Sequence, residues 1–166
     1  MYLLDANVFI DAARRYYHPD IAPTFWTWLI GEHKKGNLAS IASVKKELDD
    51  GESQGEKGYL QQWAAKLPVS FWMKPDENTA PSLSKLSSWV MHKDRLYTDA
   101  ARREFMGIAD YLLVAQAYSR KCLVVTSEQP APNSKRKIKI PDACDAMNVS
   151  YFGPFDLYRK LGLRFH

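Results

Sequence analysis

Cysteine is scarce in this sequence: Cys122 and Cys144 are its only two, one inside the apolar run "CLVV" and the other in "DACDAM". That usage excludes a disulfide framework and reads as two small buried hydrophobes in a reducing compartment. Histidine is just as thin, and His18, His33, His92 and His166 have no spacing suited to zinc. No apolar run approaches the roughly 18 residues of a membrane span. At the amino end Asp5 and Asn7 interrupt the only short apolar stretch, and no basic segment precedes it, so a secretory leader is not expected. Location in the cytoplasm, away from any membrane, is the simplest expectation. Also missing are a Walker loop, a GxSxG elbow, an HExxH pair and a dinucleotide fingerprint, which disfavours the chemistries that depend on them.

What is present is a core-forming chain. Of 166 residues, 46% are hydrophobic and 13% aromatic, enough to bury one core and short for two, so residues 1–166 are read as a single domain. The formal charge is +4, and the pI near 9.0 mildly favours an anionic partner such as nucleic acid. Along the chain, short apolar runs alternate with helical patterns. "MYLL" reads as a strand and "ANVFIDAARRYY" as the helix after it. "APTFWTWLIGEHKKG" is a helix with Phe25, Trp28 and Leu29 inward, and "NLASIAS" a brief strand. Ser43 is placed as the cap of a helix over "VKKELDDG". "EKGYLQQWAAKL" is another helix and "PVSFW" an extended piece, followed by helices around "SLSKLSSWVMHK", "TDAARREFM" and "ADYLLVAQAYSRK". "CLVVT" is a buried strand, followed by a basic, proline-rich connection, a short helix, the strand "VSYF" and a last helix around "FDLYRKLG". Such alternation implies the α/β class, with a parallel sheet covered on both sides.

In an open parallel sheet, ligands bind beyond the carboxyl ends of the strands. Asp5 ends the first strand there, and Glu128 follows "CLVVT" in the same sense. Within "SVKKELDDG", at about 100° per residue, Glu47 falls on the side of Val44 and Leu48, whereas Asp49 and Asp50 turn away. Asp110 heads the stripe Asp110, Leu113, Val114, Ala117 on the core-facing side of its helix. Each acid has an ordinary explanation. Asp5 and Asp110 are placed to cap helices, Glu47 to pair with a buried base, and Glu128 to be a loop acid. Taken together, carboxylates gathered at one rim repel one another and raise each other's pKa unless a cation joins them. Oxygen ligands without histidine or cysteine suit Mg²⁺ or Mn²⁺, ions that polarise phosphodiesters for hydrolysis.

With "LLDANVFID", "SVKKELDDG", "ADYLLVAQA" and "VVTSE" in this order, the chain resembles the PIN domains, the metal-dependent nuclease family that includes the VapC-type toxins. The resemblance implies a three-layer α/β/α fold with a central, mainly parallel sheet. It implies metal ligation by Asp5, Glu47 and Asp110, with Asn7 and Thr126 positioning them. It further implies an endoribonuclease acting as the toxin of a type II toxin–antitoxin pair, with RNA as substrate, a cognate antitoxin as protein partner and, together with the aromatic content, homodimerisation. For the fourth acid the pattern departs from the commoner family motif. Glu128 follows the strand directly in a VVT-x-E arrangement that resembles a less characterised PIN-like subgroup, and Asp142 in "KIKIPDAC" competes with it.

"SKRKIKIP" sets Lys135, Arg136, Lys137 and Lys139 just after the site, where they can hold phosphates flanking a scissile bond or form a solvated loop with Ile138 and Ile140 packed inward. For most of Trp26, Trp63, Trp72 and Trp89, core packing or a dimer or partner-binding face is a better explanation than base stacking. Two other functions remain in view: a non-catalytic PIN-like module that binds RNA or protein, and an aspartate-nucleophile phosphatase. The latter is disfavoured because Asn7 stands where a D-x-D motif has its second acid.

Overall fold

The computed structural model describes residues 1–51 and 58–165. Strands β1 (Tyr2–Leu4), β2 (Leu38–Ile41), β3 (Trp72–Met73), β4 (Leu123–Val125) and β5 (Tyr151–Phe152) form one sheet in the order β3-β2-β1-β4-β5. Every pairing is parallel, with Tyr2 opposite both Leu38 and Leu123. β1 is fully buried between its two neighbours, which is why its residues are uniformly apolar rather than alternating.

The chain steps outward from β1 to β2 and β3, then returns across the sheet to β4 and continues to β5. Right-handed crossovers running in opposite directions lay their helices on opposite faces. Packing agrees. α2 (Pro23–Lys34) and α3 (Ala42–Asp50) pack on β2, α1 (Ala6–Asp11) and α4 (Tyr59–Lys66) pack on α3, and α3 also meets residues 109–120 of the other layer. α5 (Thr79–Val90), α6 (Asp99–Gly107), α7 (Ala109–Arg120) and α8 (Ile140–Met147) gather around α7. The closing helix α9 (Pro154–Lys160) joins the α2 side through Tyr158, which packs edge-on against Phe25 and Trp28. The result is the expected PIN-like three-layer α/β/α arrangement. The order reverses between β1 and β4, and in such sheets the crevice at the carboxyl ends of those two strands is the ligand position.

Several local readings need correcting. Ser43 does not cap α3, which runs straight on from β2 with extended Ile41 at its cap and Ser43 inside its first turn. The first helix stops at Asp11, and Ala12–Tyr16 form a single wide π turn. On α2 the buried ring beside Phe25 and Leu29 is Trp26, while Trp28 is only partly covered. "PVSFW" contains a 3₁₀ turn at Val69–Phe71 before β3 begins. In the helix expected over "EKGYLQQWAAKL", Glu56 and Lys57 lie outside the described residues, and α4 begins at Tyr59. Trp26, Trp63 and Trp72 are buried around Phe9 and Phe71, so these indoles serve the core. Both cysteines are free and buried. Among the described residues, no helix is long and apolar enough to cross a membrane.

Candidate active site

Asp5 stands at the junction of β1 and α1, and its backbone N–H donates to Val125 O at 3.0 Å, tying it to the end of β4. It occupies the N-cap position of α1, yet its side chain makes no capping hydrogen bond. Instead Oδ2 accepts from Thr126 Oγ1 at 2.9 Å and from Asn7 Nδ2 at 3.3 Å. The two strands flanking the switch point thus supply an acid and the hydroxyl that orients it. Asp5 is only 1% exposed. Burial pushes its carboxyl up to about 7, with the charges of Glu47 and Glu128 adding to the rise and the hydrogen bond from Thr126 working against it.

Asp110 enters from the opposite layer. α6 ends at Gly107, Ile108 is extended at φ −112° and ψ 172°, and the chain turns at once into α7 with Asp110 in its first turn. Leu113, Val114 and Ala117 of the same stripe are buried, and Asp110 carries that stripe toward the sheet. Its side chain does not cap α7; that helix has no side-chain cap. Burial raises its carboxyl to about 8, reinforced by the charges of Asp5, Glu128 and Glu47 and eased by Lys137. Glu47 sits at the solvent-accessible edge, one position from buried Leu48. Its carboxyl is raised by partial burial. Asp5 and Asp110 thus each feel the charges of Glu47 and Glu128, although the four acids come from four different elements or loops.

Glu128 is the most tied of the four. Its Oε2 accepts from the Ile140 N–H at 2.8 Å, at the start of α8, and its Oε1 accepts from Lys139 Nζ at 2.8 Å with Lys137 Nζ at 3.9 Å. Its own N–H donates to Thr126 Oγ1 at 3.1 Å, so one threonine hydroxyl links both acids of the β4 end. Asp142 lies elsewhere. Both of its oxygens accept from the Ala131 N–H at 3.1 Å, and the charges acting on it are those of Asp145 and Glu128 rather than the other acids of the cluster. Lys135, Arg136 and Lys137 are exposed, Lys139 is half-buried, and Ile138 and Ile140 pack inward between them.

These groups border a cleft of about 720 Å³ whose walls include Asn7, Glu47, Asp110, Glu128 and Lys137. Ser43 and Lys46 also line it, although the sequence pattern does not mark them as site residues. The signal that could have found them is spacing, since Ser43 precedes Glu47 by four residues and so shares its helix face. Among the described residues, no three carboxylate, imidazole or thiol side chains stand close enough to cage a metal ion directly. The donor chemistry nevertheless fits a hard divalent cation that keeps much of its water. Mg²⁺ is commonly held by one or two carboxylates plus substrate phosphate rather than by an all-protein cage. Asp5 and Asp110, buried among other acids and, among the described residues, in no ion pair, are the donors such an ion would relieve.

A family model described as a domain of unknown function (DUF4411) matches residues 2–165. No curated protein matches the chain. Among solved structures, the chain is similar to FitAB bound to an IR36 DNA fragment, at 18% identity and a TM-score of 0.57, over 100% of this chain and 99% of that one. The crystal structure of FitAcB from Neisseria gonorrhoeae is similar at 18% identity and a TM-score of 0.57, covering 93% of this chain and 99% of that one. At that identity the likeness speaks for the fold.

Proposed function

The chain belongs to the DUF4411 family, and from that premise we propose that it is a Mg²⁺- or Mn²⁺-dependent endoribonuclease, the toxin component of a type II toxin–antitoxin pair. The observation that carries this reading is the pair Asp5 and Asp110, each raised toward neutrality by burial and by the other acids, at the strand ends where the sheet order reverses. When bound, the ion supplies charge stabilisation to the scissile phosphate and makes water a competent nucleophile at neutral pH.

In this reading Asp5, Glu47 and Asp110 would hold the ion, with Glu128 as the fourth acid at the end of β4. Thr126 and Asn7 fix the rotamer of Asp5. Lys135, Arg136 and Lys137, exposed beside the cleft, contact phosphates on either side of the cut, while Lys139 steadies Glu128. A cognate antitoxin and a second copy of the chain are the protein partners we propose. The antitoxin follows from the resemblance to the VapC-type toxins, and the fold shared with FitAB, a protein bound to a DNA fragment, agrees with it.

Asp5→Asn and Asp110→Asn should each abolish Mn²⁺-dependent cleavage of single-stranded RNA while circular dichroism remains unchanged. Retained cleavage in both variants would refute the reading. A second reading, a non-catalytic RNA-binding module, draws on the lack of a ready-made metal cage among the described residues. It requires RNA binding that ignores both substitutions and needs no divalent ion.

A further inference from the structure

A second pocket, of about 280 Å³, opens on the other side of the same loop. Glu128 turns into the acid cleft, whereas its chain neighbours Ser127 and Gln129 line this pocket. Its remaining walls include Asp11, Tyr16, Phe155 and Asp156. Since consecutive Cα atoms are about 3.8 Å apart, the two pockets are separated by little more than the width of the chain.

The lining has an uncommon mixture of properties. Tyr16 and Phe155 are 54% and 41% exposed, and they meet edge to face with centroids 5.2 Å apart, which leaves ring surface toward solvent. Tyr16 ends the π turn Ala12–Tyr16, an irregularity that often marks functional positions in helices. Two carboxylates sit beside the rings, and each is balanced. Asp11 Oδ1 faces Arg15 at 3.4 Å and its Oδ2 accepts from Ser127 Oγ at 3.1 Å, while Asp156 Oδ1 accepts from Arg159 at 3.0 Å. A pocket with open aromatic surface, carboxylate acceptors and no excess charge is matched to a flat neutral heterocycle bearing N–H donors. It is poorly matched to a lipid chain, which would strand the carboxylate oxygens.

Resting on the ribonuclease reading above, we infer that this pocket receives one nucleobase of the RNA strand, adjacent to the phosphate lying over the acids. The base stacks on Tyr16 or Phe155 and presents its amino edge to Asp11. The strand would thus cross the loop at Ser127–Gln129, with its backbone on the Glu128 side and its base on the other.

Phosphate-free ribonucleosides test the pocket separately from the chemistry. Titrated at millimolar concentration, at least one of them should shift the amide NMR signals of Ser127 and Gly153. Tyr16→Ala and Phe155→Ala should remove that response and raise KM for an RNA oligonucleotide about tenfold, the range measured for single stacking aromatics, with kcat changed far less. An oligonucleotide abasic next to the cut should bind wild type and Tyr16→Ala equally. No shift with any nucleoside, or unaltered KM in both alanine variants, would overturn the assignment even if cleavage is robust. Nucleoside binding that survives while wild-type protein fails to cut RNA would instead remove the ribonuclease reading and leave the pocket standing.

Discussion

Asp5 and Asp110 are acids whose folded environment favours the protonated form, and that preference sets the pH behaviour of the metal-free protein. Their carboxyls rise from 3.8 to about 7 and about 8. The support they give the fold is therefore complete below about pH 4, the unfolded value, and is lost as pH climbs through 7 to 8. Asp110→Asn, which keeps the shape and removes the titration, should flatten this dependence and raise the thermal midpoint at pH 8 by several degrees in EDTA. An unchanged pH profile of unfolding would contradict the environment described for Asp110. The residue patterns carried part of this. The stripe headed by Asp110 and the position of Asp5 after an apolar strand were legible as inward-facing acids. That Asp5 takes its hydrogen bond from Thr126 rather than capping α1 was not, because the two residues are 121 positions apart and only the pairing of β1 with β4 unites them.

The connection between β4 and α8 is organised by carboxylates acting as acceptors for backbone amides. Glu128 receives the Ile140 N–H and Asp142 receives the Ala131 N–H, so each end of the loop is held by an acid from the other. Glu128→Ala leaves the first amide of α8 without its charged partner and should cost about 1–2 kcal/mol in urea unfolding. Faster hydrogen exchange confined to Ile140–Ala143 is the local signature to seek. The exposed cations of this loop answer to salt instead. Replacing Lys135, Arg136 and Lys137 together by alanine should lower the slope of log affinity for single-stranded RNA against log salt by about 2, at about 0.7 for each phosphate no longer neutralised. The alternation that buries Ile138 and Ile140 could be read from "KIKI" directly. The start of α3 could not, since Ser43 is a good capping residue in isolation and the pairing of β2 decides where the helix begins. Nor could the π turn, because "AARRYY" continues a helical pattern without interruption.

For the whole molecule, the cation binding proposed above would couple stability to the ion. An ion that binds only the folded cluster adds about 2.7 kcal/mol when present at 100 times its dissociation constant. Mn²⁺ should therefore raise the thermal midpoint of wild type at pH 7.5, and the increment should vanish in Asp5→Asn and Asp110→Asn. An equal increment in those variants would place the ion somewhere else. The order of elements along the chain was enough to read the α/β class. The reversal between β1 and β4, which makes the rim a candidate site, depends on which strands pair, and short apolar runs do not announce their neighbours. The sheet also ends abruptly on both flanks, with β3 and β5 only two residues each. Borders that brief offer almost no free amide ladder to a visiting polypeptide. The protein partner proposed above would consequently have little to gain by stitching itself on as a sixth strand, and would do better to grip helical shoulders or drape an arm over the opening.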